Sequence, residues 1–231
     1  MGPYRYSGLD RLLLILLVAG IALRFVQLGA KEFWHDEAYT LFNAAGLTPY
    51  GQEREYAFTH ADLETRNTAS GVVQACLRND GGNGILHAML MHGWLAMAPN
   101  STAWLRMPSA VLGLGAILLT MAMVRDLFGG RRTSLLAGTL AAWNTLLLQG
   151  SMDLRGYTLA TVLALGSTWL LCRILLDRKG RWNYTFYAAF ALMGLLVHYT
   201  TLYVLLAHGI MAVLYARGWS KCCLLYTSRC V

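Results

Sequence analysis

Two adjacent carboxylates, Asp36 and Glu37, are the residues of this sequence best placed to do chemistry. They lie in the stretch EFWHDEAYTLF, a few residues after the first long apolar segment. A charged side chain close to hydrocarbon costs free energy, and such charges tend to be functional. The alternative is helix capping, with Asp36 at the N-cap and Glu37 favoured by the helix dipole. Spacing alone leaves a catalytic role and a capping role open.

A second polar group lies in SMDLRGYTL, which contains Asp153, Arg155 and Tyr157. An acid and a base two residues apart can form a local ion pair at a helix start. Against this, Arg155 is the only basic residue of a short connection. A further basic residue, Arg106 in WLRMPS, either extends its charge to the membrane interface or pairs with a phosphate.

Histidines and glycines give weaker signals. No two of the six histidines are four residues apart, so the sequence contains no helical metal-binding pair. His198 in LLVHYTTLY is the most interesting, because it lies at a break between two apolar segments. The glycine-rich stretch around Asn83 follows no strand, which favours a tight turn before a helix over a phosphate-binding loop.

The composition indicates a membrane protein rather than a soluble domain. Of the 231 residues, 56% are hydrophobic and 13% are charged, with a mean hydropathy of +0.44. An ordinary soluble domain has about 25% charged residues. The excess of 19 Lys and Arg over 12 Asp and Glu lies between apolar segments, so membrane orientation explains it better than nucleic-acid binding does. The five cysteines form no C-x-x-C pair, which argues against zinc and redox motifs.

Apolar segments predict an all-α, polytopic bundle of about six membrane spans with a large first loop. The first segment lacks a small-x-small cleavage site, so we interpret it as an uncleaved helix rather than a signal peptide. Arg24, near its outer end, is expected to extend towards the interface. The predicted spans are 12–28, 103–124, 135–150, 157–176, 184–198 and 200–216.

Basic residues between the spans predict the orientation. They flank the connections after the second and fourth spans and follow the last span, whereas the intervening connections carry little positive charge. By the positive-inside rule, the N-terminus is cytoplasmic. The 29–102 loop, the 151–156 connection and the break at His198 then face the extracytoplasmic side. All candidate site residues therefore share one face of the membrane.

The chain is predicted to consist of one membrane module, 1–221, and a terminal stretch, 222–231. Within the module, the 29–102 loop is extracytoplasmic, and 84–98 is expected to form an interfacial helix. The stretch 222–231 resembles translated sequencing-adapter read-through, so we expect a non-native tail on a truncated reading frame. The alternative is a short cytoplasmic tail whose cysteines carry lipid.

Five pieces of the sequence occur in an order that matches one known family. They are FWHDEAYT after the first span, DGGNGILHAMLMHGWLA before the second, WLRMPSAVLGLGAILL opening the second, SMDLRGYTLATVLALGSTWLL at the fourth, and LLVHYTTLYVLLAH at a helix break. With these pieces the chain, from about 8 to 218, resembles the N-terminal half of GT-C fold glycosyltransferases. The similarity is to the protein O-mannosyltransferase-like (family 39) and aminoarabinose-transferase-like group.

The resemblance implies a sugar transfer at the outer face of the cell (inner) membrane. The donor would be polyprenyl-phosphate-linked, and the acceptor a lipid, a glycan or a protein. The family's first-loop acid falls on Asp36, as general base, with Glu37 as its accompanying acid. Where many relatives have Pro-Pro-Leu-Tyr, this chain has Gly84-Ile85-Leu86-His87. The resemblance implies substrate binding by Asp153, Arg155 and Tyr157. We predict that Arg106, His198, Asn83 and His87 also bind substrate.

Such a transfer needs a base beside the attacking hydroxyl and positive charge beside the departing phosphate. Asp36 would meet the first need. Arg155 or Arg106 would meet the second, or else a divalent metal ion, Mg²⁺ or Mn²⁺, held by Asp36 and Asp153. A direct displacement would invert the anomeric configuration.

Two non-catalytic alternatives remain open from the sequence. A transporter or flippase of lipid-linked sugars would carry charges buried within spans, or interrupted helices in paired halves. The sequence suggests neither of these, since its charges cluster at one face. The other alternative is a non-catalytic subunit or a pseudogene fragment.

Overall fold

The described part of the chain is entirely helical. The computed structural model describes residues 7–26, 28–48, 68–97, 101–178 and 180–217. The predicted tail, 222–231, and the polar stretch 49–67, which includes His60, lie outside these residues. The described helices are α1 (Gly8–Leu23), α2 (His35–Ala45), α3 (Ala69–Asp80), α4 (Ile85–Leu95), α5 (Thr102–Phe128), α6 (Arg131–Trp143), α7 (Thr145–Met152), α8 (Tyr157–Leu175), α9 (Asn183–Val197) and α10 (Thr201–Ala216).

Two of the described helices, α5 and α8, are long and apolar enough to cross a membrane. At a rise of about 1.5 Å per residue, the 27 residues of α5 more than span a hydrocarbon core of roughly 30 Å. Helices α9 and α10 are apolar but shorter, with 15 and 16 residues. Large apolar side chains such as Ile15 and Ile210 are exposed on the outside of the bundle, as expected for contact with lipid. The predicted helical membrane protein is thus consistent with the structure at this level, and six crossings stay a prediction.

The segment 135–150, predicted as one span, is two helices. The break between α6 and α7 lies at Asn144, whose backbone is extended (ψ 121°). The Asn144 side chain accepts a hydrogen bond from the Leu147 N–H at 3.0 Å and so caps α7. Asparagine favours this cap over the helix interior, a signal that the apolar pattern conceals.

Helix α5 lies at the centre of the bundle and packs against α6, α7 and α8. At Gly113 the approach of α7 is so close that an added methyl group would collide with the Ser151 hydroxyl. A small residue is therefore required on α5 where α7 crosses it. This contact holds the end of α7, and with it the connection that carries Asp153 and Arg155, against α5.

Arg24 does not extend towards the interface as the sequence predicts. Its side chain is completely buried. The guanidinium donates to the carbonyl oxygens of Gly20 at 2.6 Å, Ala142 at 2.8 Å and Ala141 at 3.3 Å. These carbonyls include those at the end of α6, where the helix dipole favours positive charge. Arg24 therefore joins α1 to the break at Asn144.

One end of the bundle is held by ion pairs among basic connections. Asp126, near the end of α5, contacts Arg173 at 3.2 Å and Arg178 at 2.9 Å. At the same end, Arg132 at the start of α6 pairs with Asp10 of α1 at 2.9 Å. The connections after α5 and after α8 thus lie together, as the charge pattern predicts. Which side of the membrane they face stays a prediction.

The opposite end is covered by the short helices α2, α3 and α4, which pack against one another. Apolar residues of α2 and α4 meet the start of α5 and the 153–156 connection in one buried cluster. Its members are Leu41, Ala44, Met91, Leu105 and Leu154. This cluster fixes the position of α2 relative to the connection, and so brings Asp36 to Arg155 and Glu37 to the Leu154 N–H.

Candidate active site

The first turn of α2 carries Asp36 and Glu37, which point into different surroundings. Successive helical residues are separated by about 100° around the axis. The Asp36 side chain keeps 36% of its surface exposed, whereas Glu37 is completely buried. Glu37 Oε2 accepts the Trp34 N–H at 3.4 Å, which satisfies part of the N-terminal turn of α2. The capping role that the sequence left open falls on Glu37, not on Asp36.

Glu37 forms a buried ion pair with Arg106 of α5. Arg106 Nη2 and Nε donate to the two carboxylate oxygens at 2.6 and 2.8 Å. Glu37 Oε1 also accepts the Leu154 N–H at 2.6 Å. One carboxylate therefore holds α2, α5 and the 153–156 connection together, so the role of Glu37 is structural.

Arg106 has no donor left for a phosphate. Its remaining N–H groups bond the carbonyl oxygens of Leu28, Lys31 and Glu32 at 2.8 to 3.1 Å. Together with the two bonds to Glu37, all five donors of the guanidinium are in use. Of the two arginines that the sequence offers for the leaving phosphate, this geometry disfavours Arg106.

Arg155 pairs with Asp36, and not with Asp153 as the local alternative required. Its Nη2 lies 3.6 Å from Asp36 Oδ2, and its Nη1 donates to the Asp36 carbonyl at 3.1 Å and to Thr40 Oγ1 at 3.3 Å. The guanidinium also lies over the Tyr157 ring, 5.4 Å from its centroid. Among the described residues, no acceptor bonds Arg155 Nε, so this guanidinium retains capacity for an anion.

Asp153 is half-buried at the end of α7. Burial, followed by the negative charge of Glu37, raises the pKa of this carboxyl above its usual range. The Gln149 side chain, one helical turn earlier, lines the same cavity as Asp153 and opposes this rise in pKa. Within the described part of the chain Asp153 forms no ion pair, in contrast to Asp36 and Glu37.

Five of the seven predicted substrate-binding residues line one narrow cleft. They are Asn83, His87, Arg155, Tyr157 and His198. Its volume is about 30 Å³, room for a single water molecule. The structure therefore places five of the predicted residues around one cleft, which is too small for a sugar ring.

The two histidines of the cleft are held neutral. Burial and the charge of Arg155 lower the pKa of His87 to about 4. The same two causes, burial first, lower the pKa of His198, while Asp80 opposes them. His198 Nδ1 lies 2.8 Å from Thr200 Oγ1. A neutral imidazole can accept or donate a hydrogen bond, so both rings can contact an uncharged ligand.

Asn83 joins the turn between α3 and α4 to the break between α9 and α10. Its Oδ1 accepts the Tyr199 N–H at 3.2 Å, and its Nδ2 donates to Asp80 Oδ2 at 3.1 Å. The glycine-rich turn that the sequence predicts is present, with positive φ at Gly81, Gly82 and Gly84. Asn83 thus has a positioning role for the His198 region in this arrangement.

The described residues do not favour the predicted metal site at Asp36 and Asp153. Across those ranges, no three His, Cys, Asp or Glu side chains come together as a set of metal ligands. Asp36 faces Arg155, whose positive charge already balances its own. A divalent ion stays a prediction from the sequence, and the arginine supplies positive charge at the same position.

Sequence reasoning did not single out Thr40, Trp34 or Gln149. Thr40 is buried, donates to the Asp36 carbonyl at 3.2 Å and accepts from Arg155. It follows Asp36 by four residues, so the helical period of α2 would have placed it on the same face. Trp34 and Gln149 line a larger cavity beside Asp153, for which the sequence carries no signal.

The comparison with known protein families identifies the family of this chain. Residues 83–229, more than half of the chain, match the family described as dolichyl-phosphate-mannose-protein mannosyltransferase. The match includes Asp153, Arg155 and His198 but begins after Asp36 and Glu37. The chain matches no curated protein and no solved structure. On the family match, this chain belongs to the dolichyl-phosphate-mannose-protein mannosyltransferase family of GT-C glycosyltransferases.

Proposed function

We propose that the protein transfers a sugar from a polyprenyl-phosphate-linked donor to an acceptor hydroxyl, with Asp36 as the general base. The observation that carries this proposal is the contrast between the two carboxylates of α2. Glu37 is saturated and buried, whereas Asp36 is partly exposed beside a guanidinium with spare donors. Membership of a glycosyltransferase family supplies the reaction class.

In the proposed transfer, Asp36 and Arg155 account for the proton and for the charge on the leaving group. The Asp36 carboxylate accepts the proton of the acceptor hydroxyl as its oxygen bonds to the anomeric carbon. The bond from that carbon to the phosphate oxygen breaks, and the polyprenyl phosphate leaves with the electron pair. Arg155 stabilises the negative charge that develops on the phosphate. A single displacement of this kind inverts the anomeric configuration.

A lipid-linked donor suits the position of the site. The site lies where the membrane-sized helices α5 and α8 begin, so the prenyl chain can stay in hydrocarbon while the sugar reaches Asp36. We propose that this end of the bundle is extracytoplasmic, in the cell (inner) membrane, because the basic connections lie at the opposite end. The acceptor class is a lipid, a glycan or a protein.

The test is the Asp36→Asn variant, in the whole chain, with a polyprenyl-phosphate-mannose donor. General base catalysis contributes roughly 10²- to 10⁴-fold, and we expect a loss of transfer rate in that range. The matched control is Asp177→Asn, an exposed residue at the opposite end of the bundle. Transfer by the folded Asp36→Asn variant at the wild-type rate would overturn the assignment. Binding of the donor by wild type without any product would favour a non-catalytic transporter, flippase or subunit.

A further inference from the structure

A second, larger cavity lies beside the narrow cleft. It is lined by Trp34, Gln149, Asp153, Tyr157 and Thr161, with Leu146, Leu147 and Gly150 completing the wall. Its volume is about 310 Å³, ten times that of the cleft that contains His87 and His198. Small-molecule sites start at roughly 300 Å³, so this cavity accommodates one small ligand and not a long chain of sugars.

We infer that this cavity binds the single glycosyl ring of the lipid-linked donor, an inference that rests on the proposed function. Two aromatic side chains, Trp34 and Tyr157, line it, and both are exposed. The C–H face of a sugar ring is apolar and packs on an aromatic ring, while its hydroxyls need hydrogen-bond partners around the edge.

The hydrogen-bonding groups of the cavity match that need. Asp153 offers a carboxylate that no described arginine or lysine pairs with, and the Gln149 amide lies next to it. The Thr161 hydroxyl donates to the Tyr157 carbonyl at 2.8 Å and keeps its lone pairs for a ligand hydroxyl. These are neutral or anionic groups, as a ring of uncharged hydroxyls requires, and the cavity wall contributes no guanidinium or ammonium group.

The cavity also has the correct position relative to Asp36 and Arg155. Trp34 precedes Asp36 by two residues, and Tyr157 carries the Arg155 guanidinium over its ring. A sugar between Trp34 and Tyr157 would thus have its phosphate near Arg155. A third cavity of about 250 Å³, between α8 and α10, shares Tyr157 and Thr161 but lacks a carboxylate. The polar groups therefore select the cavity at Asp153 for the sugar.

The test compares the binding of two lipids to the whole chain in nanodiscs. One is polyprenyl-phosphate-mannose, and the other is polyprenyl phosphate without the sugar. We expect Trp34→Ala to weaken binding of the first lipid about ten-fold and Gln149→Ala to weaken it about five-fold. Binding of the sugar-free lipid should not change. Trp34→Phe should recover most of the loss, and Trp182→Ala, which changes another exposed tryptophan just before α9, should leave both lipids unaffected.

Each other result has a distinct meaning. If the two variants weaken both lipids equally, the cavity holds the prenyl chain and the sugar assignment is overturned. If folded variants weaken neither, the sugar lies elsewhere and the assignment is again overturned, while the proposed transfer stands. If wild type binds neither lipid, the proposed function itself fails, and this assignment with it.

Discussion

Asp36 and Glu37 are neighbours in the chain, yet their carboxylates occupy opposite environments. Glu37 is completely buried, and two donors of Arg106 contact it at 2.6 and 2.8 Å. Asp36 is partly exposed and lies 3.6 Å from the nearest guanidinium nitrogen of Arg155. The first pair is saturated with hydrogen bonds, and the second is open on one side.

This difference in burial indicates that two residues of one helical turn have different roles, Glu37 in stability and Asp36 in chemistry. A buried charge with every donor and acceptor satisfied cannot change partners without a large cost. A half-exposed pair with unused donors can accept a ligand at little cost. The buried pair therefore holds the frame, and the exposed pair is left to act on a substrate.

Removing one partner of the buried pair is expected to have the largest effect on stability. In Arg106→Met the Glu37 carboxylate stays buried without its cation, and we expect the free energy of unfolding to fall by about 3–5 kcal/mol. Unfolding of the protein in detergent micelles by heat or by a denaturing detergent measures the loss. The matched control is Arg173→Met, which removes one of two partly exposed cations beside Asp126 and should cost less than about 1 kcal/mol because Arg178 still pairs with that carboxylate. Equal losses in the two variants would contradict the structural role of Glu37.

A pH experiment tests the buried side of the site through His87. The pKa of His87 is lowered from 6.5 to about 4 in the folded protein. Above pH 6.5 the histidine is neutral in both states and contributes nothing. As the pH falls from 6.5 to 4, His87 binds a proton in the unfolded state but not in the folded state. The free energy of unfolding therefore falls. At about 1.4 kcal/mol per pKa unit, the expected loss is about 3 kcal/mol.

The measurement is the difference in unfolding free energy between pH 7.5 and pH 4.5. His87→Gln should remove most of this particular loss, and His92→Gln, one turn further along α4, should retain it. Because Arg155 contributes to the lowered pKa of His87, Arg155→Gln should reduce the loss as well. An unchanged pH dependence in His87→Gln would show that other groups cause it.

Thr40 belongs to the Asp36–Arg155 side of the site, and its replacement tests how that pair is positioned. The Thr40 hydroxyl accepts from Arg155 and donates to the Asp36 carbonyl. Thr40→Val keeps the shape but removes both bonds, and we expect transfer to fall about five-fold, equivalent to roughly 1 kcal/mol. Thr40→Ser should retain most of the activity. A drop in kcat with an unchanged melting temperature would identify Thr40 as a positioning residue, whereas parallel loss of stability and activity would contradict that role.

The smallest expected effect is on stability in Asp36→Asn. A partly exposed pair at 3.6 Å is worth about 0–1 kcal/mol, so the melting temperature should stay close to that of wild type. Together with the loss from Arg106→Met, this result would separate the two carboxylates by stability alone. A loss of several kcal/mol in Asp36→Asn would show that both pairs belong to the frame.

The sequence predicts those features that depend on local pattern and on charge along the chain. The apolar segments predict the main helices. The alternation of strongly basic connections with connections of little positive charge predicts that Asp36, Arg155 and His198 share one end. The sequence does not predict which of two adjacent carboxylates is buried. That choice depends on Arg106, 69 residues away, and on the Leu154 N–H, 117 residues away.

Two other features, the helix break at Asn144 and the cavity beside Asp153, could not be predicted from the sequence for the same reason. The break at Asn144 is hidden in an apolar run, and its position is stabilised by Arg24 from a different helix. The cavity between Trp34 and Tyr157 forms from α2, α7 and α8, so no single stretch of sequence contains it. Contacts between distant segments decide both features, and a single sequence carries no record of such contacts.

The buried Glu37–Arg106 pair has a consequence for when this end of the protein can assemble during synthesis. Ribosomes add about 5–20 residues per second, so a delay of several seconds or more separates the synthesis of Glu37 from that of Arg106. Leu154, which supplies the last hydrogen bond, emerges later still. During this interval the carboxylate must remain in contact with water, outside the hydrocarbon layer. The contacts of Glu37 with Arg106 and the Leu154 N–H can therefore be complete only after the 153–156 connection has been synthesised. Assembly of this end of the bundle is thus a late event in biosynthesis.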